Sequence, residues 1–470
     1  MSVARFSLGA SASGLGSMDS TTLAGASAAV ATMLNEIEDF SDSDLFGIVR
    51  ESQNKKVRAQ RAMNLRDIVS RGQEFVKLPT VEWTSTEDAA RVMQIAALCS
   101  KAVYRKDPGQ VVPQLLDYAI KDRHWIEPTR DGSGKAATLF EILRTDPSSQ
   151  RKALVVAVRG SASSIDWLVN LNSDLSECSD LVVSTADHDL KQTSERLNCW
   201  FMVRGRVMGL TSVIQKLPES RLKPTLKVHR GFAQCARTIA PGLVNQMKVA
   251  LNEGQTEDQE IEIVFTGHSA GGAVACLLFC YLLTSQVLDL PSKKPTLSCV
   301  TFGCPPLFNT DIDARLTRLY TGSNFLPGNM LAFVNYGDPI PRMDAAYATE
   351  LARIWYCVGG GKCPPASEFE DFKPPKLRLY GLGQLVVLFE KELEVDKDGD
   401  EGGDEDGDGD GDGDEDEEEE RVMACQLSHG DLEHQAWANV SAHRMNQYVK
   451  WITRIGDGSF NGRKDWADHR

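Results

Sequence analysis

Residues 261–273 read IEIVFTGHSAGGA. Apolar and β-branched residues run up to Thr266. A glycine follows, then His-Ser-Ala, then two more glycines and an apolar stretch of helical length. A strand that turns into a helix through G-x-S-x-G places its serine on a sharp turn, with the hydroxyl lifted clear of the sheet. Large neighbours would strike the adjoining strand and helix, and Gly267, Gly271 and Gly272 leave room around Ser269. The helix starting behind the serine points its N-terminus at the reacting oxygen, and the backbone N–H of Ala270 is the natural donor to a developing oxyanion. A glycine-rich turn without chemistry would share this pattern; the match is the only one in the chain, and it has a strand before it and a helix after it.

Other short β-rich runs stand at 153–160 (ALVVAVRG), 298–303 (SCVTFG) and 331–337 (LAFVNYG). They are nearly continuous in apolar character, as expected of strands buried on both faces. Helical stretches such as 271–286 separate some of them, which predicts an α/β fold with a mostly parallel central sheet. TEDAARVMQIAALCSKAVYRKD (86–107) reads as an amphipathic helix that opens the domain.

A serine hydroxyl needs a base to take its proton and a carboxylate to orient that base. On this scaffold the chain order is Ser, acid, His. Asp338, in LAFVNYGDPIPR, sits just past a predicted strand, where sites gather in open α/β sheets; Asp344 is the reserve. Four histidines follow: His429, His434, His443 and His469. His443 is preferred because Met445, Val449 and Ile452 would pack inward and hold its imidazole at the start of a helix, with His429 next.

These residues resemble the class 3 lipase family. LVVAVRGSASSIDWLVNL (154–171) is similar to the family's strand, R-G-[ST]-x-S turn and D-W. VHRGF (228–232), TGHSAGGAVA (266–275) and FVNYGDPIPR (333–342) resemble its V-H-x-G-F, elbow and acid-loop segments, and His443–Tyr448 its H-x-x-x-x-Y. The resemblance implies an α/β-hydrolase fold and a serine hydrolase cleaving acyl esters of glycerolipids, with Ser269 as nucleophile, Asp338 as orienting acid and His443 as base. It implies an oxyanion hole from Ser161 and Ala270, a structural role for His229 and His268, no metal and no cofactor. A phospholipase or small-ester esterase on the same triad is the alternative, as is an inactive lipid-binding or scaffold protein on the same fold. Two departures stand out: Ala270 replaces the leucine usual after the serine, and Ala442 replaces an Asp that often precedes the histidine.

The chain has 470 residues, 42% hydrophobic and 25% charged, an ordinary globular composition. Its net charge of −15 is localised: residues 394–420 hold 18 Asp and Glu and one Lys, a local −17 that leaves +2 for the remainder. The expected organisation is a disordered segment over 1–30, a helical extension over 31–85, a hydrolase domain over 86–455 and a tail over 456–470. Within the domain lie a lid or insertion over 175–227 and a disordered acidic loop over 394–420. The first carries the basic, apolar stretch CWFMVRGRVMGLTSVIQKL, which suits a membrane interface. The second contains EF-hand spacing at Asp406, Asp408, Asp410, Gly411 and Glu417, which alternating Asp-Gly generates without a built site. The expected partners are a lipid ester substrate and a transient membrane or lipid-droplet surface, with no nucleic acid. The 11 cysteines have no regular spacing, which suits a reducing compartment. Without a signal-like apolar core near the start or a membrane-length apolar run, the expected location is cytoplasmic, free or peripheral to membranes.

Overall fold

The structure, a computed structural model, describes residues 86–105, 118–126, 135–144, 151–160, 174–182, 225–252, 259–285, 294–358, 374–391 and 421–457, with a few single positions outside these ranges. The 1–30 segment, all but three positions of the 31–85 extension, Ser161, residues 183–224, the 394–420 run and residues 458–470 lie outside the described residues.

Ten strands and seven helices follow one another along the described chain. They are α1 (Glu87–Ala102), β1 (Tyr118–Ile126), β2 (Ala137–Arg144), β3 (Arg151–Val158), β4 (Leu175–Glu177), β5 (Lys227–His229), α2 (Arg230–Asn252), β6 (Glu260–His268), α3 (Ala270–Ser285), β7 (Thr296–Phe302), α4 (Asp313–Gly322), β8 (Leu326–Asn335), α5 (Ala345–Val358), β9 (Gln384–Lys391), β10 (Arg421–Leu427), α6 (His429–His434) and α7 (Met445–Asp457). Thr86 caps α1: its side-chain oxygen accepts from Ala89 N–H at 3.2 Å, which satisfies one of the donors a helix start leaves open.

Eight strands form one sheet in the order β1-β2-β3-β6-β7-β8-β9-β10. The β3-β6-β7-β8-β9 core is parallel. Antiparallel β1 and β2 extend one edge, and β10 pairs antiparallel with β9 at the other. All four β-rich runs of the sequence are therefore strands, and the acidic run connects two strands that pair with each other.

Both faces of the sheet are covered, and successive residues of a strand serve opposite cores. Leu154, Val156 and Val158 pack with Phe232, Leu277 and other residues of α2 and α3. Ala153, Val155 and Ala157 pack with Met93, Ala97, Tyr448 and Ile452 of α1 and α7. Each fully buried Val, Leu or Phe contributes about 1.5–3 kcal/mol relative to exposure. With no exposed face, β3 can have no polar alternation, which is why it reads as an unbroken apolar run. Helix α3 is buried on nearly all sides from Ala270 to Leu283.

Candidate active site

The site assembles where the parallel strands end. Ser269 follows β6, Gly303 follows β7 and Asp338 lies three residues past β8, the usual location for a site in an open α/β sheet. Ser269 has φ 57°, the only described non-glycine residue at positive φ. That conformation is costly for a residue with a Cβ, and it persists only where the surroundings enforce it. Here they do: Ser269 N–H donates to Phe302 C=O at 2.9 Å, and Gly272 N–H donates to Ser269 C=O at 2.9 Å. The tight packing reads directly in the flanking glycines. A Cβ on Gly271 would lie 2.2 Å from Val158 O, and one on Gly267 would lie 2.5 Å from the Gly271 backbone. Ala270, the first residue of α3, is buried.

Asp338 is fully buried. Its Oδ2 lies 2.8 Å from His443 Nδ1 and accepts from the Tyr448 hydroxyl at 2.6 Å; its Oδ1 accepts from Ile340 N–H at 2.8 Å. A carboxylate beside Nδ1 makes that nitrogen the donor, which leaves Nε2 with the lone pair. Nε2 of His443 is buried and has no hydrogen-bond partner among the described residues. Gly303, at φ 54°, makes this pairing possible: a Cβ there would come within 2.7 Å of His443 Nδ1 and 2.8 Å of Asp338 Oδ2.

The segment bearing His443 is held by backbone contacts. Asn335 Nδ2 donates to Ala442 C=O at 2.7 Å, and Tyr448 OH accepts from Asn335 N–H at 3.0 Å. His443 closes a short 3-10 turn (Val440–His443), two residues before α7 rather than at its start. Met445, Val449 and Ile452 do face the core from α7.

His268 completes the wall. Its ring lies 4.4 Å from that of His443, and its Nε2 is 2.6 Å from His443 C=O. A carbonyl only accepts, so Nε2 carries the proton and Nδ1 accepts from the Tyr104 hydroxyl at 3.1 Å. Burial, then the neighbouring His443, hold the His268 pKa well below its ordinary value, so the ring stays neutral. Residue 268 thereby ties the residue before Ser269 to the backbone of His443.

The other candidates are placed elsewhere. His429 Nε2 accepts from Gly381 N–H at 3.1 Å. His434 is exposed in the last turn of α6. Asp344 caps α5, accepting from Tyr347 N–H at 2.9 Å. His229 is buried and stacks on Phe232, with ring centroids 4.1 Å apart. Sequence reasoning did not assign Tyr448, Asn335, Tyr104 or Arg342 to the site. Three of them carried a signal, Tyr448 by its place in H-x-x-x-x-Y and Asn335 and Arg342 by theirs in FVNYGDPIPR; Tyr104 carried none. Arg342 is buried four residues past Asp338, and its guanidinium donates to the carbonyls of Leu432, Glu433, Gln435 and Pro375. It lashes the acid loop to the chain leading toward His443.

The insertion is closed at its base. β4 and β5 pair antiparallel, Leu175 with His229 and Glu177 with Lys227, which brings the two ends of the 175–227 segment side by side. The residues expected to form a lid lie outside the described residues.

Residues 155–348 match the family model described as lipase (class 3). A secreted mono- and diacylglycerol lipase 1 of Fusarium solani is 26% identical over 195 residues, covering 41% of this chain and 40% of that protein. The match thus spans well under half of that relative. Among solved structures, a lipase from Rhizopus microsporus var. chinensis aligns over 57% of this chain and 73% of its own, with 15% identity and a TM-score of 0.34. A Rhizomucor miehei lipase propeptide complex aligns over 79% and 83%, with 14% identity and a TM-score of 0.36.

Proposed function

Taking residues 155–348 as a segment of the class 3 lipase family, we propose that this chain is a serine hydrolase that cleaves acyl esters of glycerolipids. The observation that carries the reading is the buried Asp338–His443 pair at 2.8 Å, with an unpartnered Nε2, beside a serine at φ 57°.

In the proposed reaction, Ser269 Oγ attacks the ester carbonyl carbon while His443 Nε2 takes the hydroxyl proton. Asp338 holds the imidazole in the required tautomer and balances the imidazolium that forms. The N–H of Ala270, at the start of α3, and Ser161, through its backbone N–H and hydroxyl, receive the negative charge that develops on the carbonyl oxygen. His443 then hands its proton to the departing alcohol, leaving an acyl-serine. A water deprotonated by the same imidazole releases the fatty acid and restores Ser269. The glycerolipid class is supported by the family match and by the mono- and diacylglycerols named in the Fusarium solani relative. Transient contact with a lipid surface belongs to the same reading, since such substrates are presented there.

Among the described residues no helix is long and apolar enough to cross a membrane. Eight described cysteines are free thiols, which supports a reducing compartment over the secreted location named for the relative.

The test is covalent labelling with a fluorophosphonate, followed by fatty-acid release from emulsified acylglycerols, phospholipids and short-chain esters. We expect labelling in the parent that vanishes in Ser269→Ala, with turnover highest on acylglycerols. A parent protein that neither labels nor releases acid is a fold without the activity. A preference for phospholipids or short esters would replace the substrate class and keep the triad.

A further inference from the structure

Tyr104 lies two residues past α1 and meets parts of the site that are far apart in sequence. Its hydroxyl is 3.1 Å from His268 Nδ1, and the two rings meet edge-on with centroids 6.1 Å apart. The hydroxyl is seated against Gly160. A Cβ on Gly160 would overlap Tyr104 Oη and lie 2.7 Å from the His268 carbonyl oxygen, so a glycine is needed for this close approach. Gly160 precedes Ser161, and His268 precedes Ser269. One half-buried side chain thus packs against the residues that lead into both turns.

The base of this arrangement is fixed. Ser100 Oγ lies 2.8 Å from Thr266 Oγ1, which donates to Ala96 C=O at 3.3 Å. All of these groups are buried, and they lock the end of α1 to β6 two residues before His268. The Tyr104 ring also packs on the core shared by α1 and α7. From this anchor the linkage runs outward. The Tyr104 hydroxyl donates to His268 Nδ1, and His268 Nε2–H donates to His443 C=O at 2.6 Å. A donor at one ring nitrogen strengthens the N–H at the other, because hydrogen bonds in a chain polarise one another. Asn335 holds the preceding carbonyl, that of Ala442. The carbonyls on both sides of the His443 Cα are therefore held by side-chain donors, and one of those donors is backed by Tyr104.

We propose that Tyr104 is a positioning residue: by fixing the His268 ring it fixes the backbone of His443, and so the place of the imidazole beside Ser269. Tyr104 acts through His268 and takes no proton from the substrate. Loss of the hydroxyl alone leaves His268 Nδ1 without this donor and opens space beside Gly160. The His268 ring then gains freedom to turn, and its hold on the His443 carbonyl weakens.

The effect on turnover rests on the proposed hydrolase reading, but the linkage itself is read separately. Tyr104→Phe, which keeps the ring, is made in the full chain and assayed on emulsified acylglycerol. We expect kcat to fall about tenfold, within the range for small misplacement of reacting groups, and KM to stay within about twofold, since the hydroxyl binds no substrate. His268→Ala removes the relay. Adding Tyr104→Phe to it should then lower kcat by no more than about twofold further, because the two residues act as one unit. Proton–nitrogen NMR of the resting protein follows the His268 ring and the proton between His443 Nδ1 and Asp338, assigned by its loss in Asp338→Asn. Tyr104→Phe should shift both. An unchanged kcat, independent losses in the double variant, or a His443 proton that does not move would overturn the proposal. Should His268→Ala fail to fold, the kinetics and spectra of Tyr104→Phe decide. If the parent neither labels with fluorophosphonate nor releases fatty acid, the hydrolase reading fails, and the shift or stillness of the His443 proton still decides whether Tyr104 positions that residue.

Discussion

The hydroxyl of Tyr448 lies 2.6 Å from Asp338 Oδ2, the oxygen that also faces His443 Nδ1. One carboxylate oxygen thus serves two donors, and the buried tyrosine, whose pKa burial holds far above its ordinary value, remains a donor throughout the working pH range. Tyr448→Phe removes that hydrogen bond and leaves Asn335 N–H without its acceptor. A hydrogen bond to a charged group contributes about 1.5–3 kcal/mol. If about half of that is felt only when His443 is charged, kcat falls roughly tenfold with little change in KM. Steady-state kinetics checks this; an unchanged kcat would make Tyr448 a packing residue only.

The two aspartates past β8 test the proposed role of Asp338 against a helix cap. Asp338→Asn turns the oxygen-to-nitrogen contact with His443 into one that favours the wrong tautomer, and we expect kcat to fall by about 10⁴, the size seen when a triad acid is neutralised. Asp344→Asn alters a helix cap instead. Its activity should stay within about twofold, and its stability should fall by no more than about 1 kcal/mol. Comparable kinetic losses in both would show that the acid is misassigned.

Gly303→Ala tests the packing around the pair. The substitution adds a Cβ at φ 54°, within 2.8 Å of both Asp338 and His443. Backbone strain of about 1–3 kcal/mol and displacement of the imidazole should appear together. We expect a lowered unfolding midpoint and a loss of kcat of about 100-fold. Retention of full activity would mean that the imidazole has slack that these contacts do not provide.

Ser269 and Asp338 were legible as candidates because each sits in a short local pattern at a strand end. His443 was not legible to the same degree, because its partner is 105 residues away in sequence and four histidines satisfied the chain-order rule. What pairs it with Asp338 is spatial: Asn335 holds the Ala442 carbonyl, His268 holds the His443 carbonyl and Tyr448 shares the Asp338 carboxylate, and none of those contacts has a sequence period. The antiparallel strands β1 and β2 were also hidden. β1 (YAIKDRHWI) is an edge strand with mostly exposed or half-buried side chains, so it has no apolar run to read. β2 (ATLFEILR) carries a charged residue, Glu141, that is fully buried in the middle. Nothing in the local sequence announces Lys152, the partner 11 residues on.

His268 predicts the acid side of the stability curve. Burial and the adjacent His443 keep its folded pKa well below the ordinary 6.5. As pH falls below about 6.5 the unfolded chain takes up a proton that the folded chain refuses, so stability is full above that pH and declines below it. His268→Gln should flatten the dependence of the urea midpoint between pH 6.5 and the folded pKa. An unaltered slope would mean that another group controls this window.

Lys152 and Glu141 predict a second, distinct pH response. Lys152 Nζ lies 2.9 Å from Glu141 Oε2, with both side chains almost wholly buried, and it donates to Ala250 C=O at 2.6 Å. Burial alone would raise the Glu141 pKa, but hydrogen bonds from Lys152 and then His124 outweigh it, and the net shift is downward from 4.5. In the parent, Glu141 therefore contributes stability above about pH 4.5 that is lost as pH falls toward its folded pKa. Lys152→Met leaves a buried carboxylate beside His124, the half-exposed Lys121 and the like-charged Asp122, and it should cost about 3–5 kcal/mol at pH 7. The sign of the linkage then reverses. Without Lys152, burial dominates and the folded pKa rises above the unfolded value, so the penalty shrinks as Glu141 takes a proton. Denaturant titrations at pH 7 and pH 5 should show the gap between parent and variant narrowing at the lower pH; a gap that is constant or widens would place the cost in lost packing rather than in an uncompensated charge.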